Sequence, residues 1–212
     1  MKYRNIIFDF DGVLAESVEI KTKAFYEVTK DLVGAEGVLD KILSSPDSGD
    51  RYSIFNSLIA ELKLADKDFV NALRLSDRYT KICEYKISRA SEIKGATKTI
   101  KELKDLDIKV FISSATPEVT LKKIIDMRGW KEMIDMVFGS PDRKTDHLQT
   151  ILLENKLSTS QVVFVGDSEV DKEAALSIGC KFIGIGKDWS RFTSKPSTLL
   201  RTLNNFTLEL KL

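Results

Sequence analysis

Cysteine and histidine are scarce in this 212-residue chain: it has two cysteines, Cys83 and Cys180, and one histidine, His147. Two distant thiols without a CxxC spacing make no disulfide framework, so they read as ordinary thiols of a reducing, intracellular setting. A single histidine excludes a multi-histidine metal site, and any Ser-His-Asp or Cys-His centre would have to use His147. Excess charge is also lacking: 33 basic residues face 32 acidic ones, a net +1. No global field draws in nucleic acid or an anionic membrane. No apolar run approaches the ~20 residues of a membrane span. MKYRNIIFDFDGVL shows no signal-peptide cleavage pattern. The expectation is a cytoplasmic protein with neither nucleic acid nor membrane as partner. Repeats and low-complexity tracts are absent as well.

What is present is a globular composition, 42% hydrophobic and 31% charged. At roughly 150 residues per domain, the length suggests one large domain or a core with a modest insert. YRNIIFDF reads as a buried strand. From residue 16 to 90 the pattern turns helical, in VEIKTKAFYEVTKDLV, YSIFNSLIAELKL and DFVNALRLSDRYTKICEYKI. A turn-forming cluster, SSPDSGDR, separates the first two. After residue 90, strands and helices alternate: ATKTIKELKDL (helix), IKVFIS (strand), TPEVTLKKIIDMRG (helix, with Thr116 as its expected N-cap), MIDMVFG (strand), TDHLQTILLENKL (helix). QVVFVGD (strand), SEVDKEAALSIG (helix), KFIGIG (strand) and SKPSTLLRTL (a last helix) complete the series. Such alternation predicts an α/β fold, a parallel sheet with helices on both faces.

Ligands of such sheets bind at the carboxyl ends of the strands. There the sequence places Asp9 and Asp11, then Ser113 and Ser114, then Lys144, then Asp167 and Asp171. Asp9 and Asp11 fall on one face of an ideal strand. Two close carboxylates repel unless a cation neutralises them. Hard oxygen donors of this kind suit Mg²⁺, and a lysine and a hydroxyl beside it would bind a phosphoryl group. With no histidine near, the nucleophile would be a carboxylate. Each piece also has a plain structural reading. A DxD at a strand end caps or turns, a Ser pair caps a helix, a lone lysine is a solvated charge, and GDSEVD is a capping turn. Four such sites in order, all after strands, are hard to obtain by chance.

FDFDGVLAES, IKVFISSATP, SPDRK and VFVGDSEVDKEAALSIG resemble the four ordered motifs of the haloacid-dehalogenase-like (HAD) phosphatase superfamily, nearest its phosphoglycolate-phosphatase and β-phosphoglucomutase-like branch. The resemblance runs from Ile6 to about Gly186 and implies a Rossmann-like core at 1–15 and 91–212, with an inserted all-α cap at 16–90. It implies Asp9 as nucleophile, forming an aspartyl-phosphate, and Asp11 as general acid/base. It implies Mg²⁺ held by Asp9, the Asp11 carbonyl and Asp167, with Asp171 behind them. Ser114, the Ala115 N–H and Lys144 would bind phosphate. Two departures are visible: Glu16-Ser17 replaces the usual Asp-Ser, and Lys144-Thr145 replaces Lys-Pro. The family's dehalogenases lack the second aspartate of the first motif, so Asp11 points to phosphate chemistry.

The cap should cover the site and select the substrate, with the turn SSPDSGDRYS and Arg51 as specificity candidates. Arg51 also reads as a surface residue opening a helix, and His147 as surface or structural. The implied activity is a Mg²⁺-dependent phosphatase acting on a small phosphorylated metabolite, such as a sugar phosphate or a phosphoglycolate-like compound. A phosphomutase of the β-phosphoglucomutase type uses the same residues. A non-catalytic phospho-ligand binder, or a phosphoacceptor signalling domain, would fit part of the set. A monomer or weak homodimer is expected.

Overall fold

The computed structural model describes residues 3–45, 49–64 and 71–211. The chain forms two compact units, one of Val18–Lys86 and one of the remaining residues. The larger unit is built on six parallel strands: β1 (Asn5–Phe8), β2 (Lys109–Pro117), β3 (Met136–Ser140), β4 (Val162–Gly166), β5 (Lys181–Ile185) and β6 (Leu199–Leu200), in spatial order β3-β2-β1-β4-β5-β6. β1 and β4 are buried along their whole length, because the central strands of a parallel sheet are covered on both faces. This accounts for the apolar runs IIF and VVFV. Chain order reverses between β1 and β4, which makes their carboxyl ends the switch point of the sheet.

Helices cover both faces. Leu148 and Ile151 of α7 (Lys144–Glu154) and Ala174 and Ala175 of α8 (Glu169–Ile178) bury Ile7, Phe111, Phe164 and Phe182. On the opposite face, Phe206 of α9 (Phe206–Leu210) meets Phe8 at 5.5 Å between ring centroids. Thr99 of α5 (Ala96–Asp105) donates to the Leu203 carbonyl at 2.7 Å. α6 (Glu118–Met127) follows β2 and packs on β2 and β3. The chain leaves this unit and re-enters it through adjacent segments: the Glu16 N–H donates to the Ser91 carbonyl at 2.9 Å and the Ile93 N–H to the Leu14 carbonyl at 3.0 Å.

The smaller unit holds α1 (Val18–Thr29), α2 (Ala35–Ser44), α3 (Arg51–Glu61) and α4 (Ala72–Ile87), whose last residue belongs to the larger unit. Phe25, Phe55 and Tyr79 form its aromatic centre, with centroid separations of 5.3, 4.4 and 6.1 Å. α2 escapes the pattern reading because two glycines, Gly34 and Gly37, flank and interrupt it. Pro46, Asp47 and Ser48 of the turn singled out above lie outside the described residues, as does the start of DFVNALRL.

Two expectations fail. SKPSTLLRTL is not a helix: the free edge of β5 captures it, the Gly184 N–H donating to the Thr198 carbonyl and the Gly186 N–H to the Leu200 carbonyl, both at 2.9 Å. Leu199, Leu200 and Leu203 mimic helical spacing, but an unpaired strand edge is the stronger demand over so short a segment. Thr116 does not cap α6. Strand β2 runs on to Pro117, which takes the N-cap position without a side-chain bond.

Candidate active site

The site is assembled from loops at the carboxyl ends of β1, β2 and β4 and from the first residue of α7. Asp9 follows β1 directly. Its N–H is tied to the Val165 carbonyl of β4 at 2.8 Å, and its Oδ1 accepts from the Phe10 N–H at 2.6 Å. Gly12, at φ 80°, turns the chain away in a left-handed conformation that few side chains tolerate. Asp167 follows β4, and α8 then starts with a capping box. In it, Asp171 Oδ2 accepts from the Asp167 N–H at 3.2 Å, the Ser168 N–H at 3.1 Å and the Ser168 hydroxyl at 2.6 Å. This closeness requires Gly166, where a Cβ would stand 2.3 Å from the Asp171 Cβ.

Carboxylate oxygens of Asp9, Asp167 and Asp171 all lie within 4.8 Å of one another. Lys144, only 11% exposed, offsets part of this charge: its ammonium lies 3.1 Å from Asp9 Oδ2 and donates to Asp171 Oδ1. The missing proline after Lys144 is compensated by Asp146, which accepts from the Arg143 N–H at 3.2 Å and from its guanidinium at 3.1 Å, fixing the start of α7. Burial, followed by the neighbouring Asp171, Asp167 and Asp11, holds Asp9 well above the usual carboxylate range against the pull of Lys144. Burial likewise pushes Asp167 up to about 6. Lys144 is raised despite its burial, because Asp9 and Asp171 face it. The cluster is therefore short of positive charge. Hard oxygen donors in a buried, electron-rich group fit a small divalent cation such as Mg²⁺.

Asp11 stands apart from that trio. Its Oδ1 accepts from the Ser17 hydroxyl at 2.6 Å, and its Oδ2 from Thr116 Oγ1 at 2.9 Å and Ser114 Oγ at 3.3 Å. Pairing of β2 with β3 slips between Ser113 and Pro117, and within this irregular stretch Ser114 and Thr116 both reach Asp11. Ser113 points elsewhere, to His147 Nδ1 at 2.9 Å. His147 is buried beside Phe138, so it is a structural residue and not a surface one. Ala115 lies exposed at the same strand end.

Asp9, Asp11, Ser114, Lys144, Asp167 and Asp171 thus converge. Arg51 belongs to the other unit, where it opens α3, stacks its guanidinium 4.4 Å over the Tyr52 ring and donates to the Tyr52 hydroxyl at 3.1 Å. As site residues, neither Thr116, read in the sequence only as a helix cap, nor Arg191 stands out there. Arg191, on the loop after β5, donates to Asp167 Oδ2. The strand-end rule covers that loop too, but a lone arginine in KDWSRF carries no spacing to flag it.

The family model for haloacid dehalogenase-like hydrolase matches residues 6–185. The chain belongs to this family. It is accordingly a hydrolase by descent. A phosphoglycolate phosphatase of Cereibacter sphaeroides is 26% identical over 183 residues, covering 84% of this chain and 82% of that one. A protein of Bacillus subtilis crystallised with magnesium, YfnB, superposes with a TM-score of 0.78 at 16% identity, covering all of both chains. CbbY from Rhodobacter sphaeroides in complex with phosphate gives 0.75 at 18% identity, covering 99% of this chain and 100% of that one. At such identities the two structures speak for the fold alone. Among the described residues, no helix is long and apolar enough to cross a membrane.

Proposed function

We propose that this chain is a Mg²⁺-dependent phosphatase that hydrolyses a small phosphorylated metabolite, a sugar phosphate or a phosphoglycolate-like compound, through an aspartyl-phosphate. The observation that carries the reading is the union of two arrangements at one sheet edge: a charge-deficient carboxylate trio beside Lys144, and an aspartate held by hydroxyls next to it. The phosphatase relatives support the same reading. Mg²⁺, held by Asp9 and Asp167 with the Asp11 carbonyl, would neutralise the phosphoryl oxygens as charge builds on them. Asp171 has one oxygen on Lys144 and the other on the start of α8, so its part is to orient.

Asp9 attacks phosphorus, and the phosphorus–oxygen bond of the ester breaks as Asp11 gives its proton to the leaving oxygen. Water then attacks the phosphorus, Asp11 takes the proton released, and the Asp9–phosphorus bond breaks to regenerate the carboxylate. Acid/base assistance of this type contributes typically ~10²–10⁴-fold. Ser114, the Ala115 N–H and the Lys144 ammonium hold the phosphoryl group in line. Ser17 and Thr116 keep Asp11 in place. The helical segment 16–90 serves as the cap, and Arg51 is its specificity candidate, a guanidinium suited to a second anionic group. The two free cysteines, both buried, suit a cytoplasmic setting.

The test is phosphate release from p-nitrophenyl phosphate and from a panel of phosphorylated metabolites. Release that needs Mg²⁺, stops with EDTA and is lost in Asp9→Asn supports the reading. No release from any compound sinks it. Conversion of a sugar phosphate to its isomer without free phosphate would make the enzyme a mutase instead.

A further inference from the structure

The loop after β5 takes no part in the chemistry above, yet it is anchored at several points. Phe192 is buried against Phe182 at 5.9 Å between centroids. Lys172 of α8 donates to the Ser194 carbonyl at 2.9 Å and to its hydroxyl at 3.0 Å, and to Glu169 Oε2 at 2.8 Å. The same Glu169 oxygen accepts from the Thr193 N–H at 2.8 Å. Residues 192–194 are thereby clamped onto the helix that begins beside Asp167. The residue just before the clamp is Arg191. Its side chain is 49% exposed and free to face water, but its guanidinium turns inward to the buried Asp167 carboxylate.

We propose that Arg191 is a positioning residue, a tethered counter-cation for Asp167 that sets how tightly the site takes Mg²⁺. Lys144 is ion-paired with Asp9 and Asp171, and among the described residues Arg191 is the cation ion-paired with Asp167. Mg²⁺ demands a carboxylate oxygen at close range in near-octahedral geometry. A guanidinium hydrogen-bonded to that oxygen competes for it and, once displaced, still repels the ion. The clamp keeps the competitor at high local concentration, as any short tether does. The consequence is a site whose cation is readily exchangeable and whose Asp167 is never left as an unpaired buried charge. The assignment rests on the reading of Asp9 and Asp167 as cation ligands.

Calorimetric titration with MgCl₂ alone, on the full chain without substrate, tests it. Arg191→Gln should bind Mg²⁺ about threefold to fivefold more tightly, the size expected for one half-exposed charge pair. Its affinity should also fall more steeply with ionic strength than the parent's, because the Arg191 repulsion that salt screens is gone. Arg191→Lys, which keeps the charge, should stay near the parent. Glu169→Ala, which releases the clamp but not the arginine, should shift affinity in the same direction as Arg191→Gln and by less. Equal or weaker Mg²⁺ binding in Arg191→Gln overturns the role of Arg191 while leaving the metal site standing. A lysine variant that behaves like the glutamine one overturns it too. Failure of both parent and Arg191→Gln to bind Mg²⁺ overturns the cation site itself, and this assignment with it.

Discussion

Replacing Lys144 by methionine removes a charge while nearly preserving volume. The ammonium is 11% exposed and lies 3.1 Å from Asp9 Oδ2, a separation worth about 5 kcal/mol for an effective dielectric constant near 20. Desolvation of the ammonium offsets several kcal/mol of that, so the loss is set by what remains behind: Asp9 and Asp171 buried without their cation. Breaking a buried pair from one side costs about 3–5 kcal/mol. Asp9 has an escape, because burial already holds it well above the ordinary carboxylate range, and taking up a proton relieves the repulsion. The expected cost is therefore near the lower end, about 3 kcal/mol in EDTA. Urea unfolding, followed by tryptophan fluorescence, measures it. Turnover should fall by about 10²–10³-fold, since a protonated Asp9 is no nucleophile and a fixed cation at the phosphoryl group is gone. Combining Lys144→Met with Asp9→Asn should recover stability but not activity, a non-additive pair. A single variant with the parent's urea midpoint and a kcat within tenfold of it would refute the account.

Gly166→Ala should destabilise by about 1–3 kcal/mol through overpacking and should also slow turnover, because the new methyl meets the Asp171 side chain 2.3 Å away and pushes on the residue that holds Lys144; chemical denaturation and phosphate-release assays read both. Asp167 titrates near 6 in the folded protein, above the ~3.9 of an unfolded chain, so the folded state holds the extra proton between these values. In EDTA its contribution to stability should fall as pH rises from about 4 to about 6, by roughly 3 kcal/mol in total. The stability difference between the parent and Asp167→Asn, taken from unfolding midpoints at each pH, should shift against the parent by about that amount across the range. Phe55→Ala, at the centre of the helical unit against Phe25 and Tyr79, should cost about 3–5 kcal/mol, measured by thermal or urea unfolding.

The parts of this protein that can be read in its sequence are those fixed by local pattern. NIIFD and VVFVGD announce themselves because a strand buried on both faces leaves an apolar run, and the polar residue that ends it stands out. α2 does not, since Gly34 and Gly37 weaken its signal and its helicity depends on packing Leu39 into the unit. β6 does not, because its conformation is imposed by the edge of β5. The same division runs through the site. Asp9, Asp11, Asp167 and Lys144 are legible because each follows a strand whose end the sequence marks. The roles of Ser113 and Ser114 separate only in three dimensions, one turned to His147 and the other to Asp11.

Arg191 is the limiting case. Its relation to Asp167 spans 24 residues, with the whole of α8, strand β5 and a tethered loop between them. No periodicity or motif encodes such a contact; it exists because β5 lies beside β4 in the sheet and the Glu169–Lys172 clamp folds the following loop back. Residues that perform the chemical step must sit at strand ends, where the backbone is rigid, and so they are visible in the sequence. Residues that tune the step can be delivered by loops, where the local sequence is nearly unconstrained. Two chains with the same Asp9-Asp11-Lys144-Asp167 constellation can therefore differ in cation affinity through a loop residue that their shared motifs do not contain, and Mg²⁺ titration of Arg191→Gln measures that difference directly.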